Sequence, residues 1–275
     1  MIDGLTWTFT ADAEVYAAAA EPWLLRDPVR NTVLLTVLRG VRSGQFSEDP
    51  LMAWRTEGGS VEGAVIHTAP YPLLLGVVPL DALPSLATEL IALGRSLPGV
   101  TGPLDQAEAF ARAWWEPERG RRSERLYRLG SLVPPSVPGV ARTAVVADAR
   151  LATQWFREFQ EEADVDVAAD ATPVVSARIN RNELVFWEDG GRPVSLAGVS
   201  APIAGMSRVG PVYTPPALRR RGYGAAVTHA VTRKALDEGA TEVLLFADLA
   251  NPRSNSVYQA LGYERVADYA SLRFR

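Results

Sequence analysis

The run EVLLFADL, residues 242–249, is almost continuously apolar, and so reads as a strand buried on both faces. What precedes it limits how the chain can reach such a position. The segment RVGPVYT reads as a strand that stops at Pro215 and Pro216, and the loop RRRGYG follows. A helix then runs from about Tyr223 to Glu238, with Val227, Ala230, Val231, Ala235 and Leu236 on a broad apolar face. Gly239, a favoured residue just past a helix end, closes it. Strand, loop, helix and buried strand make one crossover unit with parallel strands.

The neighbouring elements extend this unit. Upstream, Leu151, Trp155, Phe156 and Phe159 recur at helical spacing. ELVFWEDGGRPVSLAGVS reads as a hairpin turning at Asp189, Gly190 and Gly191. Downstream, NPRSNSVYQALGY has an N-cap residue in Asn251, a proline suited to the first helical turn in Pro252 and a helix end in Gly262, and YASLRFR is a final strand candidate. The expectation is a mixed α+β fold, a central sheet flanked by helices.

At 275 residues the chain exceeds the usual single-domain range, so two domains are expected. The segment 129–140, LGSLVPPSVPGV, concentrates prolines and glycines and reads either as a linker or as the end of an edge strand. It sets the expected division at 1–130 and 131–275. The first half carries a fainter copy of the same element order: strands in VEGAVIHTA and PYPLLLGVVP, a helix in LDALPSLATELIALGRSL, a short strand in GVTGPL and a helix in LDQAEAFARAWW. Two similar halves are expected, but where the second has RRRGYG the first has DALPSL.

Composition removes several chemistries. The chain has no cysteine, hence no disulfide, thiolate nucleophile or thiolate metal site, and only His67 and His229 could serve a histidine cluster, so no metal is expected. The net charge is −4, which argues against a nucleic-acid-coating surface while leaving room for a local anion site. MIDGLTWTFTADAE lacks a basic segment followed by an apolar run, and no uncharged apolar stretch approaches ~18 residues. A cytoplasmic location without membrane contact is the expectation.

A glycine loop between strand and helix can hold phosphate, because its amides are unobstructed and the helix N-terminus carries about half a positive charge. Gly222 and Gly224 suit that task. Arg219, Arg220 and Arg221 suit it as well, and would equally suit a solvated charged turn. Behind the loop, Asn251, Ser254, Asn255 and Tyr258 share one helical stripe, with Val257 and Leu261 opposing it; this predicts an outward polar face. Tyr258 reads as an amphipathic aromatic at a helix edge or, beside a phosphate loop, as an acid: a phenol of pKa ~10 is protonated at neutral pH and can donate to a departing thiolate.

With these residues in place, the segment 140–275 resembles the GCN5-related N-acetyltransferases. Arg219, Gly222 and Gly224 match that family's Q/R-x-x-G-x-G/A pattern, and ANPRSNSVYQALGY matches its asparagine, small polar residue, tyrosine and Gly-aromatic order. The resemblance implies acetyl-CoA as cosubstrate and an amine as acceptor. It implies that the backbone of Val212 and Thr214 pairs with the pantetheine arm, and that amides from Arg220 through Gly222, Tyr223, Gly224 and Ala225 hold the pyrophosphate. Asn251 and Ser254 would contact the CoA arm, and Tyr258 would protonate the thiolate.

The match is incomplete. Many family members have a glutamate on or near the strand before the loop, and SRVGPVYT has no carboxylate. Glu188, Asp189 and Asp248 are substitutes that also have plain roles as turn or cap residues, and a neutral amine would need no base. His229 and His67 read as packing residues. Trp54, Trp114 and Trp115 read as core or as pocket lining. The leading expectation is an N-acetyltransferase for a primary amine of a small molecule, peptide or protein; a non-catalytic acyl-CoA-binding module is the alternative. The acceptor is unreadable, and a homodimer is among the assemblies left open.

Overall fold

The computed structural model describes residues 6–46, 50–163 and 170–274. The first five residues of the N-terminal stretch, and Arg275 of the final strand candidate, lie outside the described residues. The chain divides into two compact units, Met1–Leu126 with Val266–Arg275, and Tyr127–Arg265. Each unit has a mixed sheet of parallel and antiparallel strands, and the fold is α+β.

In the first unit the elements are β1 (Thr6–Thr10), α1 (Ala13–Leu24), α2 (Thr32–Arg42), β2 (Leu51–Glu57), β3 (Ser60–His67), β4 (Leu73–Leu75), α3 (Leu83–Ala92), β5 (Gly99–Pro103) and α4 (Leu104–Ala113). β6 (Gly120–Leu129) follows. The pairs β1 with β2, β2 with β3 and β3 with β4 are antiparallel, and β4 with β5 is parallel. The last element of the chain, β12 (Tyr263–Arg273), completes this unit: Tyr269 to Arg273 pair antiparallel with Pro103 to Gly99. Phe274 joins Phe110 and Trp114 in the core, with Trp114 stacked on Phe110 at 5.6 Å between ring centroids. Of the tryptophans that could line a pocket, Trp114 is therefore core and Trp54 meets Tyr16 edge-on, while Trp115 is exposed.

The second unit repeats the order: β7 (Val140–Thr143), α5 (Ala149–Glu162), α6 (Thr172–Asn180), β8 (Leu184–Asp189), β9 (Arg192–Val199), β10 (Met206–Tyr213), α7 (Tyr223–Asp237), β11 (Glu242–Asp248) and α8 (Pro252–Ala260). β7, β8, β9 and β10 pair antiparallel in turn, and β10 pairs parallel with β11. This is the crossover that the apolar run requires. Alternate residues serve opposite faces. Val185, Ala197, Val199 and Val209 pack with Val227 and Val231 of α7, whereas Leu184, Phe186 and Leu196 pack with Trp155, Val175 and Ile179 of α5 and α6. Each fully buried branched side chain contributes about 1.5–3 kcal/mol.

The proline-rich segment 129–140 is not a free linker. Gly130 N donates to Gly262 O at 2.9 Å, Val133 N to Leu261 O at 3.0 Å, and the Trp187 indole to Pro138 O at 2.9 Å. Proline removes donors from this segment but leaves its carbonyls and rings available for contact.

Candidate functional site

The site begins where β10 leaves its parallel neighbour. The β10–β11 ladder runs from Met206 opposite Glu242 to Val209 opposite Leu245, although the two strands continue to Tyr213 and Asp248. On the other side, β10 bulges against β9 between Val209 and Val212. A bulge bends a strand and increases its twist. Val212 therefore lies beyond the parallel ladder, with one backbone edge available to an extended ligand.

The chain then turns through Pro215 and a short 3₁₀ turn, Pro216–Leu218, into α7. Arg219 sets the angle of this turn. Its Nε donates to Thr214 O at 2.8 Å, its Nη2 donates to the Glu162 carboxylate at 2.6 and 2.7 Å, and its guanidinium lies over the Tyr213 ring. The expected ligand-binding arginine thus spends its side chain on the protein. Arg220 is exposed and has φ +66°, Arg221 is exposed, and Gly222 caps the helix with φ +83°. A Cβ on Gly222 would come within 2.7 Å of Val137, so glycine is required there twice over. At Gly224 a Cβ would meet only Thr214 Oγ1, at 3.5 Å, which is ordinary contact. The fold does not demand glycine at 224, and open space faces it.

The first amides of α7 cannot bond within the helix. The earliest intrahelical donor of this turn is Ala226, to Gly222 O at 3.0 Å. Among the described residues, the amides of Arg220 through Ala225 have no acceptor, and Gly224 stands within this run. The Tyr223 side chain turns inward and its hydroxyl donates to Asp189, which raises the phenol's pKa.

At α8, Asn251 is the N-cap: its Oδ1 accepts from Ser254 N at 3.1 Å. The Ser254 hydroxyl is used by no described residue. The polar stripe does not face outward as a whole, because Asn255 is buried and bonded on all sides. Its amide nitrogen donates to Asp248 O and Asn251 O, each at 2.8 Å, and its Oδ1 accepts from the Tyr127 hydroxyl at 2.8 Å. Tyr258 is half-buried between the rings of Tyr127 and Tyr263, and its hydroxyl has no partner among the described residues. Burial pushes its pKa up to about 12. Val212, Ala225 and Tyr258 all pack on the same core cluster, which joins strand, loop and second helix.

Each carboxylate considered as a base is committed elsewhere. Glu188 accepts from Arg142 Nε at 2.7 Å, Asp189 accepts from Tyr223, and Asp248 Oδ1 accepts from Ala250 N at 2.8 Å. His229 is half-buried on α7, with burial and Arg233 lowering its pKa, and His67 is buried in the first unit. Two relationships escaped the sequence reading. Tyr213, the last residue of β10, donates to Glu158 Oε2 at 2.7 Å, and Asn255 is the organising group of α8. The i,i+4 placement of Asn255 after Asn251 was visible; its inward direction was not.

Residues 195–272 match the model of the FR47-like protein family. No curated protein matches the sequence. Among solved structures, a GCN5-related N-acetyltransferase from Sphaerobacter thermophilus is similar at TM-score 0.63 and 16% identity, over 97% of this chain and 95% of that one. A Drosophila protein is similar at TM-score 0.65 and 13% identity over 99% of both chains. A GNAT-family acetyltransferase from Colwellia psychrerythraea is similar at TM-score 0.58 and 12% identity, over 86% of this chain and 90% of that one.

Proposed function

From a chain with the GCN5-related N-acetyltransferase fold, we propose an enzyme that transfers an acetyl group from acetyl-CoA to a primary amine, using the second unit. The observation that carries this reading is the run of unbonded amides from Arg220 through Ala225 at the start of α7, with open space at Gly224, following the strand whose parallel ladder ends at Val209. A diphosphate is the ligand such a helix start favours. The amides of residues 220–225 would hold it, with the exposed Arg220 and Arg221 adding positive charge. The edge of β10 at Val212, and Thr214 just past its end, whose carbonyl already accepts from Arg219, would take the pantetheine amides, with Asn251 and Ser254 beside them.

Acetyl-CoA supplies an already activated thioester, so positioning accounts for much of the rate. The chain's own part is to hold the two reactants in line and manage one proton. Tyr258, protonated throughout the physiological range, would stand as donor to the sulfur. A phenol of pKa about 12 is a weaker acid than a thiol of about 8.5. Tyr258 would therefore act first as a hydrogen-bond donor to the developing thiolate, and full proton transfer would wait on solvent. With Glu188, Asp189 and Asp248 all committed, the amine would have to arrive neutral or lose its proton to water.

The test is the melting temperature with acetyl-CoA, with other phosphate-bearing nucleotides as controls, followed by turnover on an amine panel. Ligand at about 100 times its Kd adds roughly 2.7 kcal/mol, about 5–10 °C for a chain of this size. No shift removes the reading. A CoA-specific shift without turnover on any amine favours a binding module, the role that committed carboxylates would also suit.

A further inference from the structure

Arg208 is a partly buried cation whose Nη1 is fully buried, and no anion among the described residues pairs with it. It stands on β10 one residue before Val209; because Val209 belongs to the core under α7, Arg208 faces the other side of the sheet, the side on which α5 and α6 pack. Its backbone amide is fixed by the Ser200 hydroxyl at 3.0 Å, but its Nη1 is buried with no hydrogen-bond partner. No carboxylate among the described residues forms an ion pair with it. Burial, and then the charge of Arg178, press its pKa down to about 10.

Arg178 shares that face. Its Nη2 donates to Gly210 O at 2.8 Å, at the bulge of β10, and occupies the space that a Cβ on Gly198 would need, 2.5 Å away. Its Nε lies 3.4 Å from Glu183 Oε2 and makes no hydrogen bond. Glu183 also accepts two bonds from Arg181, at 2.7 and 3.0 Å. One carboxylate therefore serves two guanidinium groups and Arg208 has none. An uncompensated buried charge is costly enough that proteins rarely keep one without an external partner.

We infer that Arg208 and Arg178 form the oxyanion subsite for the acceptor, and that the acceptor amine carries a carboxylate. The inference rests on the acetyl-transfer reading for the identity of the second reactant. It does not rest on it for the site. The phosphates of acetyl-CoA would lie at the start of α7, and α7 packs on the opposite face of the sheet from Arg208. A planar carboxylate offers two acceptors to the guanidinium fork. The acceptor strand position is also apt: the subsite lies on the stretch of β10 leading into the bulge, immediately before the free edge at Val212.

The experiment compares the intact chain with Arg208→Gln and Arg208→Lys. Probes are glycine, β-alanine and 4-aminobutyrate, each set against its primary amide, with phosphoethanolamine as the phosphate arm. Binding is read by thermal shift without acetyl-CoA, transfer by steady-state kinetics, and acetyl-CoA affinity separately by calorimetry. Expected are a preference of the native chain for at least one acid over its amide, and a loss of roughly 10- to 100-fold for that acid in Arg208→Gln, the range for a hydrogen bond to a charged group. Arg208→Lys should restore part of it. The amides should change by less than about twofold, acetyl-CoA affinity should hold, and the unliganded melting temperature should stay or rise, because an unpaired buried charge has gone.

Equal response to acids and amides, or to none of them, overturns the subsite. So does weakened acetyl-CoA binding, which would place a cofactor phosphate there, or a preference for phosphoethanolamine over every acid. A fall in the unliganded melting temperature would make Arg208 a structural residue. Acid binding that depends on Arg208 without any acetyl transfer would retain the subsite and remove the transferase reading.

Discussion

The Tyr127 hydroxyl donates to Asn255 Oδ1 across 2.8 Å, joining residues 128 apart in the chain. Because the Asn255 amide also holds the carbonyls of Asp248 and Asn251, a single side chain fixes the exit of β11, the cap of α8 and β6 together. Asn255→Leu keeps the volume but strands the Tyr127 hydroxyl and takes the side-chain donor from two carbonyls, which keep the amides of Asn251 and Asn255. A stranded buried group costs about 1–3 kcal/mol, so urea unfolding should show a loss of that order. A loss below about 0.5 kcal/mol would mean that water replaces the network.

Gly222 and Gly224 should respond in opposite ways to the same methyl group. Gly222→Ala forces a side chain into a left-handed conformation against Val137 and should destabilise the protein by about 1–2 kcal/mol. Gly224→Ala meets only Thr214 and should leave stability within about 0.5 kcal/mol. Gly224→Trp should retain the fold and abolish acetyl-CoA binding. Calorimetry that finds unchanged affinity in Gly224→Trp would remove the cradle.

Tyr258→Phe should lower kcat by roughly 10- to 1,000-fold, within or near the span of acid–base groups, while acetyl-CoA affinity stays nearly constant. The sign of the pH dependence follows from burial. The protonated phenol is the working form, and its pKa is raised from 10.0 to about 12, so rate should not fall as pH passes 10 on account of Tyr258. The same shift stabilises the fold below pH 10; that contribution fades as pH rises from 10 towards 12. A descending limb centred near pH 10, absent in Tyr258→Phe, would show that the phenol is solvated in the working enzyme.

Asp189→Asn tests whether the hairpin carboxylate has a chemical role. The carboxylate accepts from Tyr223, and an amide oxygen can accept in its place, so turnover should stay within about threefold. A general base contributes about 10²–10⁴. A fall of that size at constant acetyl-CoA affinity would identify Asp189 as the base.

Much of the second unit was legible because its signals are local. The apolar run at 243–247 has to be buried, and Gly222 and Gly239 mark the two ends of the helix that precedes it, both with positive φ. The resemblance to the acetyltransferases adds the order of elements, which the structure has. Less was legible in the first unit. Ala13–Leu24 and Thr32–Arg42 form helices that the sequence reading passed over, and PYPLLLGVVP contributes only the three residues of β4. The alanine-rich Ala13–Leu24 and the three-residue β4 have little periodicity of their own, and tertiary packing selects them, whereas Leu34, Leu35 and Leu38 of Thr32–Arg42 do recur at helical spacing.

The sequence by itself determined where the chain turns, which residues begin its helices and which strand must lie inside, since caps, glycines and apolar periods act over a few neighbouring residues. Only the tertiary structure decided what the long polar side chains do. Arg219 looked like a ligand contact and is tied to Glu162 and Thr214, Asn255 looked solvated and is buried, and Arg208, which no local pattern singles out, has a buried Nη1 without a partner among the described residues. The destination of the final strand was likewise a tertiary matter, with Tyr269 to Arg273 laid against β5, about 170 residues away in sequence, as Thr101 and Ser271 show. Hydrogen bonds and charges are settled by which atoms meet across such distances, and no local pattern of residues encodes that meeting.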